Sequence, residues 1–139
     1  MSLQNVAGPG VNIDTRWLPE KYDVIAPDGS EIRLLATVSA GSMVHCRLPA
    51  GAVSRPIAHR TVEELWYVLA GQGQMWRYHD GQESVIELGP GCSLNIPLGA
   101  SFQFRNTGDR PLDIVIVTMP PWPEEDEAIP RAGHWPVLE

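Results

Sequence analysis

A chain of 139 residues, 43% hydrophobic and 19% charged, has the size and composition of one folded globular domain with a core of its own, not of a disordered segment. Seventeen Asp and Glu against ten scattered Lys and Arg leave a net charge of -7, which argues against nucleic acid and anionic membrane as partners, because both need clustered cations. No apolar run approaches the roughly 18 residues of a membrane span, and Cys46 and Cys92 make neither a zinc-knuckle pair nor a disulfide framework.

The chain opens with "MSLQNVAGPG", which lacks the charged start and apolar stretch of a signal peptide. With two thiols read as free, the expected location is cytoplasmic. Residues 1–30 read as an arm with few strand signals beyond "VNIDTRWL". From residue 31 the pattern changes. Short runs rich in Val, Ile, Leu and aromatics ("EIRLLATV", "MVHCRL", "ELWYVLA", "QMWRYH", "SVIEL", "CSLNI", "SFQFRN", "PLDIVIVTM") alternate with Gly- and Pro-bearing turns. None has helical period, so the spacing predicts an all-β antiparallel sandwich or barrel over residues 31–119. Asp80-Gly81 suits a type I′ hairpin turn. Residues 120–139 hold five prolines and two tryptophans. Proline blocks sheet pairing, so this reads as an irregular strap, anchored to the barrel or a partner by Trp122 and Trp135, with "EEDEA" solvated. The whole is expected to be one domain, 1–139.

Two spaced patterns carry chemistry. Gly51 is followed after five residues by Ile57, then Ala58, His59, four residues, Glu64, six residues and Gly71. Gly91 is followed after five residues by Pro97, then Leu98, Gly99, two residues, Phe102, three residues and Asn106. In order and spacing these resemble the two signature motifs of the cupin superfamily, which implies a double-stranded β-helix, or jelly-roll barrel. Metal-dependent cupins bind their ion through three histidines and one glutamate. The resemblance puts His59 and Glu64 at two of those positions, and Ile57 and Phe102 at the other two. Neither Ile nor Phe can donate to a metal, whereas catalytic zinc keeps three protein ligands and non-haem iron commonly keeps two His and a carboxylate. The expectation is therefore no resident cofactor. The alternative is a weakly held divalent ion (Fe, Mn, Zn or Ni) on His59 and Glu64 with an unrecognised third ligand.

Cys46 is one candidate for that ligand if strand alternation turns it inward and His45 outward. His79 falls at a hairpin tip, and His134 could fold over the barrel mouth. Alternation from Ile57, His59 and Glu64 brings Trp66 and Val68 inward. Phe102 brings Phe104, and the last strand is read with Leu112, Ile114, Ile116 and Thr118 inward. The expected pocket is thus Cys46, Ile57, Trp66, Val68, Phe102, Phe104, Ile114 and Ile116 around the polar pair. Such walls suit a small, partly apolar molecule, and equally a barrel simply filled by its core. His59 and Glu64 serve either as an acid/base couple or as a mutually satisfied pair, with Arg55 or Arg60 as other partners for the carboxylate. Leu65, Tyr67, Leu69, Val115 and Val117 make the outer parity apolar as well, which points to a homodimer. Three readings follow: a small-molecule-binding protein with a degenerate metal site; an enzyme, either a metal-dependent oxygenase or isomerase or a metal-free isomerase or lyase; and an interaction protein with a filled barrel.

Overall fold

The structure is a computed structural model that describes residues 13–121 and 127–137. Eleven strands are present among these residues: β1 Val24–Ile25, β2 Glu31–Val38, β3 Gly41–Leu48, β4 Ile57–His59, β5 Glu63–Ala70, β6 Gly73–His79, β7 Gln82–Leu88, β8 Ser93–Ile96, β9 Ser101–Asn106, β10 Leu112–Met119 and β11 Ala128–Pro130. They form two antiparallel sheets, ordered β1-β2-β3-β10-β5-β8 and β11-β4-β9-β6-β7. This is the antiparallel barrel expected from the strand and turn pattern, in the jelly-roll form that the motif resemblance implied. No helix of the described residues is long and apolar enough to cross a membrane.

The period-two pattern sets which side chains meet. On β5 the buried residues are Glu64, Trp66 and Val68, and the intervening Glu63, Leu65, Tyr67 and Leu69 are exposed. On β10, Leu112, Ile114, Ile116 and Thr118 are buried against half-buried alternates. Register aligns these rows across the first sheet: Ile114 faces Cys46 on one side and Val68 on the other, and Ile116 faces Val44 and Trp66. From the second sheet Met75, Phe102 and Phe104 complete the core.

Turn chemistry holds the register. Asp80 (φ 51°) and Gly81 (φ 76°) both take the left-handed backbone that a type I′ turn requires, closing β6 onto β7. Gly71 at φ 90° leaves β5 where a Cβ would lie 2.5 Å from the Pro111 carbonyl oxygen, so no other residue fits there without movement.

The two ends depart from the sequence reading. The arm residues of "VNIDTRWL" that the structure describes, 13–18, are not in a strand. The strap, read as irregular, contributes β11. Ala128, Ile129 and Pro130 pair with His59, Ala58 and Ile57 of β4. Proline is tolerated because β11 is an edge strand and Pro130 is its last residue. Beyond it, Gln103 of β9 tethers the tail to the outer face of the second sheet: its Nε2 donates to the Ser54 and Trp135 carbonyls, and its Oε1 accepts from the His134 and Trp135 amides. Trp135 is half-buried there, with the Arg105 guanidinium 4.5 Å from its ring centroid. Trp122 lies outside the described residues.

Candidate functional site

β4 and β5 are joined by a three-residue turn, Arg60–Val62, that places His59 and Glu64 side by side at one end of the barrel. Both are buried, His59 with 6% of its surface exposed. His59 Nε2 lies 3.4 Å from Glu64 Oε2. The other oxygen, Glu64 Oε1, accepts a hydrogen bond of 3.0 Å from Trp66 Nε1. Both carboxylate oxygens thus face N–H donors, which is what a buried carboxylate requires. The ring of His59 stacks on Phe102 at 5.7 Å and 25°. Trp66 meets Phe102 and Phe104 edge-on at 5.7 and 5.0 Å. Ile57 pairs with Phe102 across β4 and β9, so the two hydrocarbon residues are neighbours.

Two carboxyl groups absent from the sequence reading complete the site. Glu127 reads in sequence as part of a solvated acidic run; in the fold it is 5% exposed. The strap is drawn in as Glu127 accepts from three donors: the Thr61 amide (2.6 Å), the Thr61 hydroxyl (2.8 Å) and the Val62 amide (2.8 Å). Its Oε1 lies 3.8 Å from His59 Nδ1. Asp28, in the turn before β2, is buried too, and its Oδ1 accepts from the Ser30 amide at 2.9 Å and the Ser30 hydroxyl at 2.6 Å. The Asp-x-Ser spacing of "APDGS" was the legible signal, since a short polar side chain bonds the backbone two residues on. Glu127 had none, its partners lying 65 and 66 residues away.

The electrostatics follow from this crowding. Burial alone would lower the pKa of His59, but the hydrogen bond and charge of Glu64, with Glu127 and Asp28 behind them, more than offset it and raise the pKa above its usual 6.5. Burial raises the pKa of Asp28 despite the two Ser30 bonds, and the Glu64 charge adds to the rise. Burial opposes the ionisation of Glu127, yet the Thr61 and Val62 donors and the His59 charge leave its pKa lowered. The crowding of carboxyl groups thus pushes His59 toward its charged form and Asp28 toward its neutral one, while the Thr61 and Val62 donors favour the charged form of Glu127.

Of the family's metal-binding positions, a divalent ion here would have His59 and Glu64 as donors. Among the described residues no group of three or more His, Cys, Asp or Glu side chains is placed to hold one, and both Glu64 oxygens already face the Trp66 and His59 nitrogens. Cys46 is buried on the inner face of β3 as a free thiol, its pKa pushed well above the usual range by burial. His45 takes the opposite parity but is not exposed. It is buried on the outer face of the first sheet, with Nε2 3.3 Å from Asp113. His79 pairs with Asp80 at the hairpin, as a tip residue should. His134 stacks on Trp76 and approaches Glu83 on the outer face of the second sheet; the Gln103 tether carries the tail there, and not over the barrel mouth. The remaining expected pocket residues, Ile57, Trp66, Val68, Phe102, Phe104, Ile114 and Ile116, are all buried core.

A family model described as the cupin domain matches residues 44–118, more than half of the chain. The chain is a member of the cupin family. It is 31% identical over 126 residues to the uncharacterised protein MJ1618 of Methanocaldococcus jannaschii, covering 84% of this chain and 98% of that protein. Among solved structures, BH2720 from Bacillus halodurans superposes with a TM-score of 0.60 at 21% identity, over 73% of this cupin and 77% of that chain. KdgF from Halomonas sp. superposes with a TM-score of 0.62 at 16% identity, over 81% and 98% respectively. At these identities the likeness is one of fold.

Proposed function

We propose that this cupin binds a small molecule at the His59 end of its barrel, and that a buried ion pair takes the place of the family's metal as the polar anchor. The observation that carries this reading is the contact of 3.4 Å between His59 Nε2 and Glu64 Oε2, closed in by Ile57 and Phe102 where metal-dependent relatives have histidines. A carboxylate kept deep inside an aromatic barrel needs a counter-charge, and His59 supplies it. The aromatic and aliphatic walls then suit a partly apolar ligand oriented by few polar groups.

Elemental analysis of protein purified without chelator, paired with mass spectrometry of whatever it releases on denaturation, tests the proposal. Metal well below one equivalent and a co-purifying small molecule are expected. A full equivalent of tightly held ion would overturn the reading.

One observation favours a second reading, a metal-free isomerase or lyase. Asp28 and His59 have raised pKa values while Glu127 beside them has a lowered one, and neighbouring groups whose pKa values are pushed apart suit an acid and a base.

The protein is further proposed to act as a homodimer. On the outer face of the first sheet Leu65 and Tyr67 are 53% and 49% exposed, beside half-buried Val115 and Val117. The arm carries Trp17 at 90% exposed while Arg33 pins its backbone through the Pro19 and Glu20 carbonyls. An apolar face and a fixed apolar arm on one chain support pairing with a second copy. Sedimentation of Tyr67→Glu should show monomer where the native protein shows dimer, and a native protein that sediments as monomer would refute the pairing.

A further inference from the structure

We infer that this cupin has a binding site outside its barrel, a cleft between the strap and the β6–β7 hairpin that takes a small carboxylic acid with an apolar ring. The cleft lies on the outer face of the second sheet and encloses about 670 Å³, within the roughly 300–1,000 Å³ of small-molecule sites. Strand parity separates it from His59. Phe102 of β9 turns inward to stack on that imidazole, so the neighbouring Ser101 turns outward and forms the cleft floor with Trp76 of β6. Three segments distant in sequence supply the walls, and each is held in place. On the strap, the Arg131 amide donates to the Pro56 carbonyl at 3.2 Å, and Gly133 sits where a Cβ would lie 2.6 Å from the Pro56 side chain. The Pro97–Ala100 turn, which carries Leu98, is closed by the Ala100 amide on the Pro97 carbonyl at 3.0 Å. The hairpin, which carries Tyr78, is fixed by its turn at Asp80-Gly81. Trp76 is locked as well: Nε1 donates to Glu83 at 2.6 Å, and the ring stacks on His134. A cleft with fixed walls asks for little ordering when a ligand enters.

The lining side chains select the chemistry. Tyr78 and Leu98 are 45% and 50% exposed and give the cleft its apolar surface. Ser101 is 8% exposed, yet its hydroxyl has no hydrogen-bond partner among the described residues, so it is left to water or a ligand in the cleft. Arg131 likewise has no ion pair among the described residues, and a guanidinium keeps its charge throughout the physiological range. The carboxylate among the described lining residues, Asp80, stands 88% exposed at the hairpin tip and already faces His79 Nε2 at 3.4 Å. The unmatched charge of the cleft is therefore positive. An amine would bring a second cation to Arg131. A carboxylate matches it: two coplanar oxygens suit the guanidinium fork and leave lone pairs for the Ser101 hydroxyl. The ring of the ligand then covers Tyr78 and Leu98 beside the edge of Trp76.

The test is ¹⁵N NMR of the full-length protein titrated with phenylacetate, phenylacetamide and acetate. The indole N–H of Trp76 reports on the cleft, and that of Trp66, bonded to Glu64, reports on the barrel interior. Phenylacetate is expected to shift the Trp76 signal saturably below about 10 mM, with phenylacetamide and acetate each about fivefold weaker or more. Arg131→Gln, a change at an exposed position, should weaken phenylacetate about fivefold and leave phenylacetamide unchanged. Equal binding of acid and amide, or phenylacetate binding that Arg131→Gln does not alter, would overturn the carboxylate class. Acetate binding as tightly as phenylacetate would overturn the role of the ring. A shift of the Trp66 signal alone would support binding inside the barrel and overturn this outer site, as would a Trp76 signal that no probe moves.

Discussion

Replacing Glu64 with glutamine isolates the charge at the centre of the site, because the side chain keeps its shape and loses its sign. In the native protein Glu64 Oε1 accepts from Trp66 Nε1 and Oε2 faces His59 Nε2. A glutamine side chain has one acceptor oxygen and one amide, so one of the two N–H donors must face another donor, and the imidazolium loses its closest counter-charge. Breaking a buried pair from one side costs about 3–5 kcal/mol. The retained acceptor argues for the lower end, about 3 kcal/mol, or roughly 10 °C in Tm for a domain of this size. The sign of the pH dependence is fixed by the raised pKa of His59. A group whose pKa is higher folded than unfolded stabilises fully below its unfolded value, here 6.5, and that contribution disappears as pH rises through the folded value. Urea denaturation of both proteins at about pH 6 and about pH 9 should therefore show the larger loss at the lower pH, with unchanged m-values. The double variant His59→Leu, Glu64→Met should be more stable than Glu64→Gln, since hydrocarbon needs no partner. A loss below about 0.5 kcal/mol at pH 6, or an equal loss at both pH values, would mean that the pair is not charged in the folded protein.

Three further outcomes follow from named contacts. Phe104→Ala removes a fully buried ring that Trp66 meets edge-on and should cost about 3–5 kcal/mol in urea denaturation; a cost under about 1 kcal/mol would place the ring outside the core. Gly71→Ala puts a Cβ 2.5 Å from the Pro111 carbonyl oxygen at φ 90° and should destabilise by more than about 1 kcal/mol, whereas Gly81→Ala, with open space around its Cβ, should cost less. Glu127 has a lowered pKa, so its contribution is present above its ordinary 4.5 and is lost as pH falls through the folded value. The protection of the Thr61 and Val62 amides, taken relative to their intrinsic exchange rates, should accordingly fall on acidification, Glu127→Gln should show that lower protection already at neutral pH, and unchanged protection in the variant would refute the clamp.

What could be read in the sequence was what short-range pattern controls. β5 shows Glu64, Trp66 and Val68 on one face because alternation is a local property of a strand with a single core side. The signature spacings located His59, Glu64, Ile57 and Phe102 because turn length and strand length fix where each side chain falls. The missed features depend on partners far along the chain. Glu127 reads as one more acid in an acidic run until Thr61 and Val62, 66 and 65 residues away, offer it three donors. β11 reads as proline-rich tail until β4 offers an open edge. His45 turns outward as its parity demands, yet is buried, because Asp113 from β10 and the cover of the outer face cannot be seen from β3 alone.

The same distinction explains how Glu64 is satisfied inside the barrel. A carboxylate facing only Ile57 and Phe102 would be driven to protonate or to reach water. The indole N–H of Trp66, two residues along the same strand face, and the imidazole of His59, across the Arg60–Val62 turn, together supply what a cation would. That solution is local to β4 and β5, so it forms whenever the hairpin forms. The second nitrogen of His59 belongs to no local pattern. It meets only what the strap brings to it, Glu127 Oε1 at 3.8 Å, and its surroundings could not be read before the two ends of the chain were brought together.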